Sequence, residues 1–243
     1  MKTFLMILIL ALVPALSAGA APPVNGKMSA DVDPHDKESL QRGAQAFANY
    51  CMACHQAELM RYNRVARDLG LSDADVEEFL IFMPDAQAVD VMRNAMTSED
   101  ALDWFGAAAP DLTMTARRHG PDWVYTFLNS FYRDEGRPFG VNNTVISNVS
   151  MPHVLQELQG LPDAVREEVN GEDRLVGFEL NEAGMMSPAE YRRFTRDITN
   201  FMDYMAEPVK AERQRLGLYV LIFLFILLGI TYLLKKEYWK DVH

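Results

Sequence analysis

The stretch that decides the fold is NYCMACHQ, residues 49–56, because it contains both cysteines of the 243-residue chain. Cys51 and Cys54 are separated by two residues, and His55 follows the second cysteine directly. Two cysteines at this spacing indicate a redox dithiol, half of a zinc site or the attachment point of a c-type haem. The adjacent histidine favours haem, because each thiol can bond one haem vinyl group while the imidazole binds the iron.

The rest of the sequence supports the zinc and dithiol interpretations less well. A thiolate-rich zinc site normally has four Cys or His ligands, and none of the five histidines forms a second pair at ligand spacing. A redox dithiol usually lies between a strand and a helix, whereas residues 36–51 have helical periodicity up to the first cysteine. We therefore predict one covalently attached haem c, bound by Cys51, Cys54 and His55.

The N-terminus is typical of a secretory signal peptide. Lys2 precedes an apolar run from Phe4 to Ala15, which is too short to span a membrane comfortably, and Ala18-Gly19-Ala20 offers a small-x-small cleavage site. We predict a signal peptide over residues 1–20; the alternative is an uncleaved N-terminal anchor. Export would take the chain to the periplasm of a Gram-negative cell, where c-type haem is attached.

The C-terminal end carries an uncharged apolar run from Leu216 to Leu234. At about 1.5 Å rise per residue the run spans about 28 Å, close to the roughly 30 Å hydrocarbon core of a bilayer. Lysines and interfacial aromatic residues follow it, which places this end in the cytoplasm. The predicted organisation is a signal peptide (1–20), a periplasmic c-type haem domain (21–209), a transmembrane anchor (210–236) and a short cytoplasmic tail (237–243).

The composition is acidic, with 23 Lys and Arg against 34 Asp and Glu and a formal net charge of −11. This balance argues against nucleic acid as a partner and favours a basic soluble protein. The simpler alternative is that the negative surface only keeps the domain soluble. With both cysteines used for attachment, none is left for a disulfide, so the haem must help to hold the fold.

Periodicity predicts an all-α haem domain of the cytochrome c type, with loop insertions and a short strand or β-hairpin at 173–180. Helices are expected at 36–50, after an N-cap at Ser72, from about Pro121 to Tyr132, and after Ser187, where Pro188 and Glu190 complete an N-terminal capping pattern. Pro208 marks the end of the last helix or a kink before the membrane helix. Residues 137–150, rich in Gly and Asn, are predicted to form a loop.

The residue pattern defines the second axial ligand of the iron less clearly. A methionine there completes an electron-transfer site, whereas an open face permits ligand binding or peroxide chemistry. Most of the 14 methionines are expected to fill the core, but Met83 and Met151 each precede a proline. Met151 is the better candidate, because it ends a long irregular loop that can wrap the far face of the haem; His119 and His153 are alternative ligands.

Taken together, these parts resemble the cytochrome c1 family, the haem subunits of the cytochrome bc1 complex. The matching stretches stand in order: RGAQAFANYCMACHQ (42–56), APDLTMTARRHGPDWVYTFL (109–128), NVSMPHVLQELQG (148–160) and MAEPVKAERQRLGLYVL (205–221). The resemblance implies that Met151 is the axial ligand. It also implies that Pro110 packs near the haem and that Arg118 meets a haem propionate.

The chain departs from many family members around the haem. Ala109 stands where many have a first proline, Ser150 stands where glycine is common, and His153 follows Pro152 where mitochondrial members have more proline. The chain is more similar to the proteobacterial type than to the mitochondrial one.

The resemblance implies an electron relay in a bacterial inner-membrane complex. One electron would pass from a Rieske iron–sulfur protein to cytochrome c, beside cytochrome b, and the chain would be no catalyst alone. Two other classes remain open: a membrane-anchored c-type haem peroxidase and a periplasmic haem redox or gas sensor. The peroxidase would need an open sixth site and usually a second haem motif, and the tail after Leu234 is too short for a sensor's output domain.

Overall fold

A computed structural model describes residues 26–169 and 172–241, so the predicted signal peptide over 1–20 lies outside the described residues. The helices are α1 (Lys37–Tyr50), α2 (Tyr62–Leu69), α3 (Asp73–Phe79), α4 (Ser98–Phe105), α5 (Thr115–His119), α6 (Pro121–Leu128), α7 (Gln156–Gln159), α8 (Pro188–Ala206) and α9 (Lys210–Tyr238). The strands are β1 (Ala57–Arg61), β2 (Val91–Met92), β3 (Phe131–Arg133), β4 (Val141–Asn143), β5 (Gly160–Val169) and β6 (Glu172–Ala183).

The core of the domain forms where α1 packs against α8. The side chain of Asp36 caps α1 by accepting the N–H of Ser39 at 3.0 Å. The rings of Phe47 and Phe201 meet across the two helices with centroids 5.6 Å apart. A Cβ at Gly43 would collide with the backbone carbonyl of α8, so this close approach requires glycine. The contact fixes the end of α1, where the cysteine segment begins.

The capping signals predicted for α8 are confirmed. The hydroxyl of Ser187 accepts the N–H of Glu190, and the carboxylate of Glu190 accepts the N–H of Ser187, with Pro188 in the first turn. Such reciprocal bonds satisfy backbone donors that have no partner inside the helix. The helix ends at Ala206 and α9 begins at Lys210, so Pro208 lies in the break between them.

Two boundaries differ from the predicted ones. The predicted helix from Pro121 to Tyr132 ends at Leu128 as α6, and the chain then enters β3. The Nδ2 of the buried Asn129 donates to the carbonyl of Tyr125 and to the hydroxyl of Thr195 on α8, which ends α6 by a tertiary contact. The predicted loop over 137–150 contains β4, which pairs with β3.

The all-α description is only partly right, because the described residues contain three two-stranded antiparallel sheets, β1–β2, β3–β4 and β5–β6. The paired strands β5 and β6 include the predicted strand at 173–180 but are longer, at Gly160–Val169 and Glu172–Ala183. The domain therefore combines helices with three two-stranded sheets inserted between them. These sheets matter for the site, because β4 leads directly into the loop that carries Met151.

The C-terminal helix α9 is 29 residues long, and the mean hydropathy of its most apolar stretch is 2.5. None of its residues is buried against the rest of the chain. By length and composition it can cross a membrane. Lys210 at its start pairs with Asp203 at 2.7 Å, and Arg213 pairs with Glu207 at 2.7 Å, so ion pairs join the domain to this helix.

Candidate haem site

Separate stretches of the chain line one apolar cleft with a volume of about 360 Å³, a size typical of small-molecule and cofactor sites. They are the end of α1 with the cysteine segment, the loop before α5, one face of α6, and the loop after β4. The lining residues are Tyr50, Cys51, Cys54, His55, Phe105, Ala107, Ala108, Ala109, Pro110, Trp123, Phe127, Ile146, Asn148, Val149, Ser150, Met151, Pro152 and Val154.

The cysteine segment forms a turn at the end of α1. Cys51 continues the helical bonding, with its N–H donating to the carbonyl of Phe47 at 2.9 Å. The carbonyl of Cys51 then accepts the N–H of Cys54 at 3.1 Å and that of His55 at 2.8 Å. This local bonding brings both thiols and the imidazole to one wall of the cleft, and neither thiol is in a disulfide.

The electrostatics of the two thiols do not suit a redox dithiol. Burial, followed by the neighbouring thiol of Cys54, raises the pKa of Cys51 to about 12. Burial also raises the pKa of Cys54 above its ordinary value. Reactive dithiols have a lowered cysteine pKa, because the thiolate is the nucleophile. Neutral thiols in an apolar wall suit thioether attachment better.

The imidazole of His55 is oriented by a backbone carbonyl. Its Nδ1 lies 2.8 Å from the carbonyl oxygen of Pro110, and since a carbonyl can only accept, Nδ1 carries the proton and Nε2 keeps its lone pair. Burial lowers the pKa of His55, while the bond to Pro110 and the charge of Asp111 oppose that shift. A neutral imidazole held through its other ring nitrogen is the usual state of a histidine that binds a metal.

Met151 lines the cleft from the loop after β4, on a different stretch of chain from His55. It is half-buried and packs against a small apolar cluster that includes Phe131 and Val149. The structure thus brings Cys51, Cys54, His55, Pro110 and Met151 to one cleft.

The other candidate residues lie elsewhere. Arg118 is exposed in the last turn of α5, outside the cleft lining, so its contact with a propionate stays a prediction. His119 is also exposed and stacks on Trp123 at 4.3 Å. His153 is buried and stands outside the cleft lining, where its ring stacks on Phe131 at 4.7 Å, and burial lowers its pKa to about 4. Met83 is half-buried and also stands outside the cleft lining.

Two groups of residues that contribute to the site are absent from the sequence-based prediction. Trp123 and Phe127 form an aromatic wall, with centroids 5.6 Å apart and planes 5° from parallel. Their spacing of four on a predicted helix is the signal that could have found them. Asn142 and Asn143 bind the backbone of the loop that leads to Met151. In the sequence, only their position directly before that loop indicates this role.

The chemical groups that line the cleft suit a haem c. Two neutral thiols at attachment spacing and an imidazole with a free Nε2 lie on one wall, a thioether lies on another stretch of the lining, and aromatic side chains supply further apolar surface. Apolar surroundings of this kind control the dielectric around an iron site and limit its access to water.

Comparisons with known proteins identify sequences similar to this chain. Residues 27–242 match the Cytochrome C1 family. Cytochrome c1 from Allochromatium vinosum is 53% identical over 218 residues, which cover 88% of this chain and 89% of that protein. Cytochrome c1 from Rhodospirillum rubrum is 25% identical over 239 residues, 86% of this chain and 83% of that protein. The ammonia monooxygenase gamma subunit of Nitrosomonas europaea is 44% identical over 242 residues, 100% of this chain and 98% of that protein.

Proposed function

This chain belongs to the cytochrome c1 family, and from that premise we propose that it relays one electron from a Rieske iron–sulfur protein to a cytochrome c. As a member of the family it is a haem electron-transfer subunit of the cytochrome bc1 complex and carries covalently bound haem c. Its C-terminal apolar helix fits a transmembrane anchor. The proposal adds the residues that hold the haem and the direction of transfer.

The observation that carries the proposal is the convergence of two thiols, an imidazole and a thioether on one apolar cleft. In the proposed site Cys51 and Cys54 would attach the haem, and His55 and Met151 would bind its iron. Pro110 orients the imidazole through its carbonyl, at 2.8 Å from Nδ1. Two protein ligands on the iron would favour electron transfer over ligand binding or peroxide chemistry.

Each part of the site has a defined role in the relay. Haem c would supply a one-electron couple, whose potential depends on the protein ligands and the surroundings of the iron. Pro110 keeps the proton of His55 on Nδ1, which would leave Nε2 free to bind the iron. The stacked rings of Trp123 and Phe127 exclude water from one side of the cleft. A dry, rigid site changes little on gaining an electron, which favours rapid transfer.

The proposed partners follow from the family and the charge. Cytochrome b and the Rieske protein would share the membrane complex, and the net charge of −11 favours a basic cytochrome c as acceptor. Lys235 and Lys236 at the end of α9 would face the cytoplasm. In this arrangement residues 1–20 are the signal peptide, 21–209 the periplasmic domain, 210–236 the anchor and 237–243 the tail.

Membranes from cells that lack this protein are expected to lose antimycin-sensitive, quinol-dependent reduction of cytochrome c, because the relay between the Rieske protein and cytochrome c is missing. The measurement is the rate of cytochrome c reduction with added quinol, compared with membranes in which the full chain is restored. Ammonia-dependent oxygen uptake in the same membranes tests the activity named for the Nitrosomonas relative. Unchanged quinol-dependent turnover without the protein would contradict the proposal.

Met151→Leu is expected to remove the sulfur–iron charge-transfer band of the oxidised protein, lower the reduction potential and open the reduced iron to carbon monoxide. Leucine keeps the apolar volume but has no sulfur to bind the iron. Met83→Leu and Met114→Leu are the controls, since both methionines lie outside the cleft lining. If a control reproduces the effect and Met151→Leu does not, the ligand assignment is wrong.

A further inference from the structure

We propose that Asn142 and Asn143 are positioning residues that hold the Met151-bearing loop in the shape needed to ligate the iron. The two side chains lie at the end of β4, immediately before residues 144–150, which lead to Met151. Both are almost fully buried, with exposed fractions of 6% and 1%, and both stand outside the lining of the cleft. The inference rests on the ligand role of Met151 in the proposed function.

Asn143 fixes the first turn of the loop. Its Oδ1 accepts the N–H of Val145 at 2.8 Å and that of Ile146 at 3.4 Å, and also the hydroxyl of Ser130 at 3.2 Å. Its Nδ2 donates to the carbonyl of Phe127 at 2.9 Å. Because the ring of Phe127 lines the cleft, one side chain joins the aromatic wall on α6 to the start of the Met151 loop.

Asn142 fixes the far end of the same loop. Its Oδ1 accepts the N–H of Asn148 at 2.9 Å, together with that of Asn143 at 2.9 Å. Its Nδ2 donates to Oδ2 of Asp134 at 2.8 Å, which keeps the amide oriented with Oδ1 towards the loop. A single buried amide therefore ties the two ends of a six-residue span of chain.

Asn148 is the point at which the loop turns towards Met151, and its side chain lines the cleft. Its φ of 61° lies in the left-handed region, which asparagine tolerates better than most residues but which still has an energetic cost. Its N–H is bound by Asn142, and its carbonyl accepts Nη2 of Arg137 at 3.1 Å. Both backbone groups of this turn are thus held by side chains from other positions.

These bonds replace the support that regular secondary structure would give. Residues 144–150 contain no helix or strand, so a methionine ligand at their end depends on side-chain bonds to hold the backbone still. Each buried hydrogen bond favours the bonded state by about a factor of five. Together the two asparagines shift the equilibrium between released and iron-bound Met151 towards the bound state.

The test compares Asn142→Ala and Asn143→Ala with Asn129→Ala in the haem-loaded full chain. Asn129 is a matched control, because it is 4% exposed and its Nδ2 bonds go to Tyr125 on α6 and Thr195 on α8. Both loop variants are expected to weaken the sulfur–iron band and lower the potential. The fraction of reduced protein that binds carbon monoxide should rise on the order of tenfold. Asn129→Ala should leave all three unchanged.

A donor–acceptor exchange keeps the test decisive if an alanine variant fails to fold. Asn142→Asp alone replaces the donor to Asp134 by a second carboxylate. Because the two carboxylates repel each other, this variant should behave like Asn142→Ala. Adding Asp134→Asn restores a donor opposite that carboxylate, and its oxygen can still accept the N–H of Gly136, which Asp134 binds at 3.1 Å. The double variant should therefore recover the band and exclude carbon monoxide again.

The outcomes separate this role from the ligand assignment. If the loop variants match Asn129→Ala in band, potential and carbon monoxide binding while Met151→Leu loses the band, the positioning role is wrong and the ligand assignment stands. A double variant no better than Asn142→Asp would also overturn the positioning role. If Met151→Leu itself keeps the band, the ligand assignment fails and the positioning role fails with it.

Discussion

Replacing both cysteines, as Cys51→Ser with Cys54→Ser, is expected to abolish covalent haem attachment and to reduce accumulation of the protein several-fold. Serine hydroxyls do not form thioether bonds, so the haem could be held only through its axial ligands. Either single replacement should leave one thioether bond at most, with a shifted absorption spectrum. The measurement is haem retained after denaturing electrophoresis, together with the spectrum of the reduced pyridine complex.

The loss should extend to stability, because a group bound only by the folded state stabilises that state and covalent attachment makes the effect permanent. Tyr50, Trp123 and Phe127 pack partly on the main core and partly on the cleft. Without the haem their cleft faces meet water, and that apolar exposure lowers the free energy of unfolding. Thermal unfolding of purified protein measures this change.

Ala53→Ser is the matched control for the cysteine variants. Ala53 lies between the two cysteines and is exposed, so this change adds a hydroxyl to the same turn and keeps both thiols. It should retain covalent haem and normal stability. A fully haem-free double variant that folds and unfolds like the parent would contradict the structural role assigned to the haem.

The elements that could be predicted from the sequence carry their signals locally. Residues 37–50 show helical periodicity, and Ser72 and Ser187 start α3 and α8 with capping boxes that span only four residues each. The haem attachment motif is equally local, since Cys51, Cys54 and His55 stand within one turn. Such features depend on neighbours in sequence, which a single chain displays directly.

What could not be predicted depends on contacts between distant residues. The end of α6 is set by the bond from Asn129 to Thr195, and the imidazole of His55 is set by a carbonyl 55 residues away at Pro110. Strands of two or three residues, such as β2 and β4, are too short to show a period. The same limit explains why the asparagines behind Met151 stand out only in the structure.

A chain ending at Glu212 is expected to give a soluble, haem-bearing domain that dithionite reduces and ferricyanide reoxidises normally. None of the residues of α9 is buried against the domain, so the cut removes no core packing. The truncated chain keeps the ion pair between Lys210 and Asp203 and loses the one between Arg213 and Glu207. Because Arg213 is exposed, the lost ion pair contributes little to stability. Absorption spectra and thermal unfolding should match those of the anchored protein.

The same truncation is expected to reduce quinol-dependent cytochrome c reduction in membranes to the level seen without the protein. Anchoring holds the relay beside its donor at an effective concentration on the order of millimolar, which a dilute soluble domain cannot reach. A chain ending at Tyr238 is the control, since it keeps all of α9. Turnover by the soluble domain at the anchored rate would show that diffusion suffices and that α9 serves only to locate the protein. If only the chain ending at Tyr238 restores quinol-dependent turnover, electron transfer depends on holding the haem domain at the membrane.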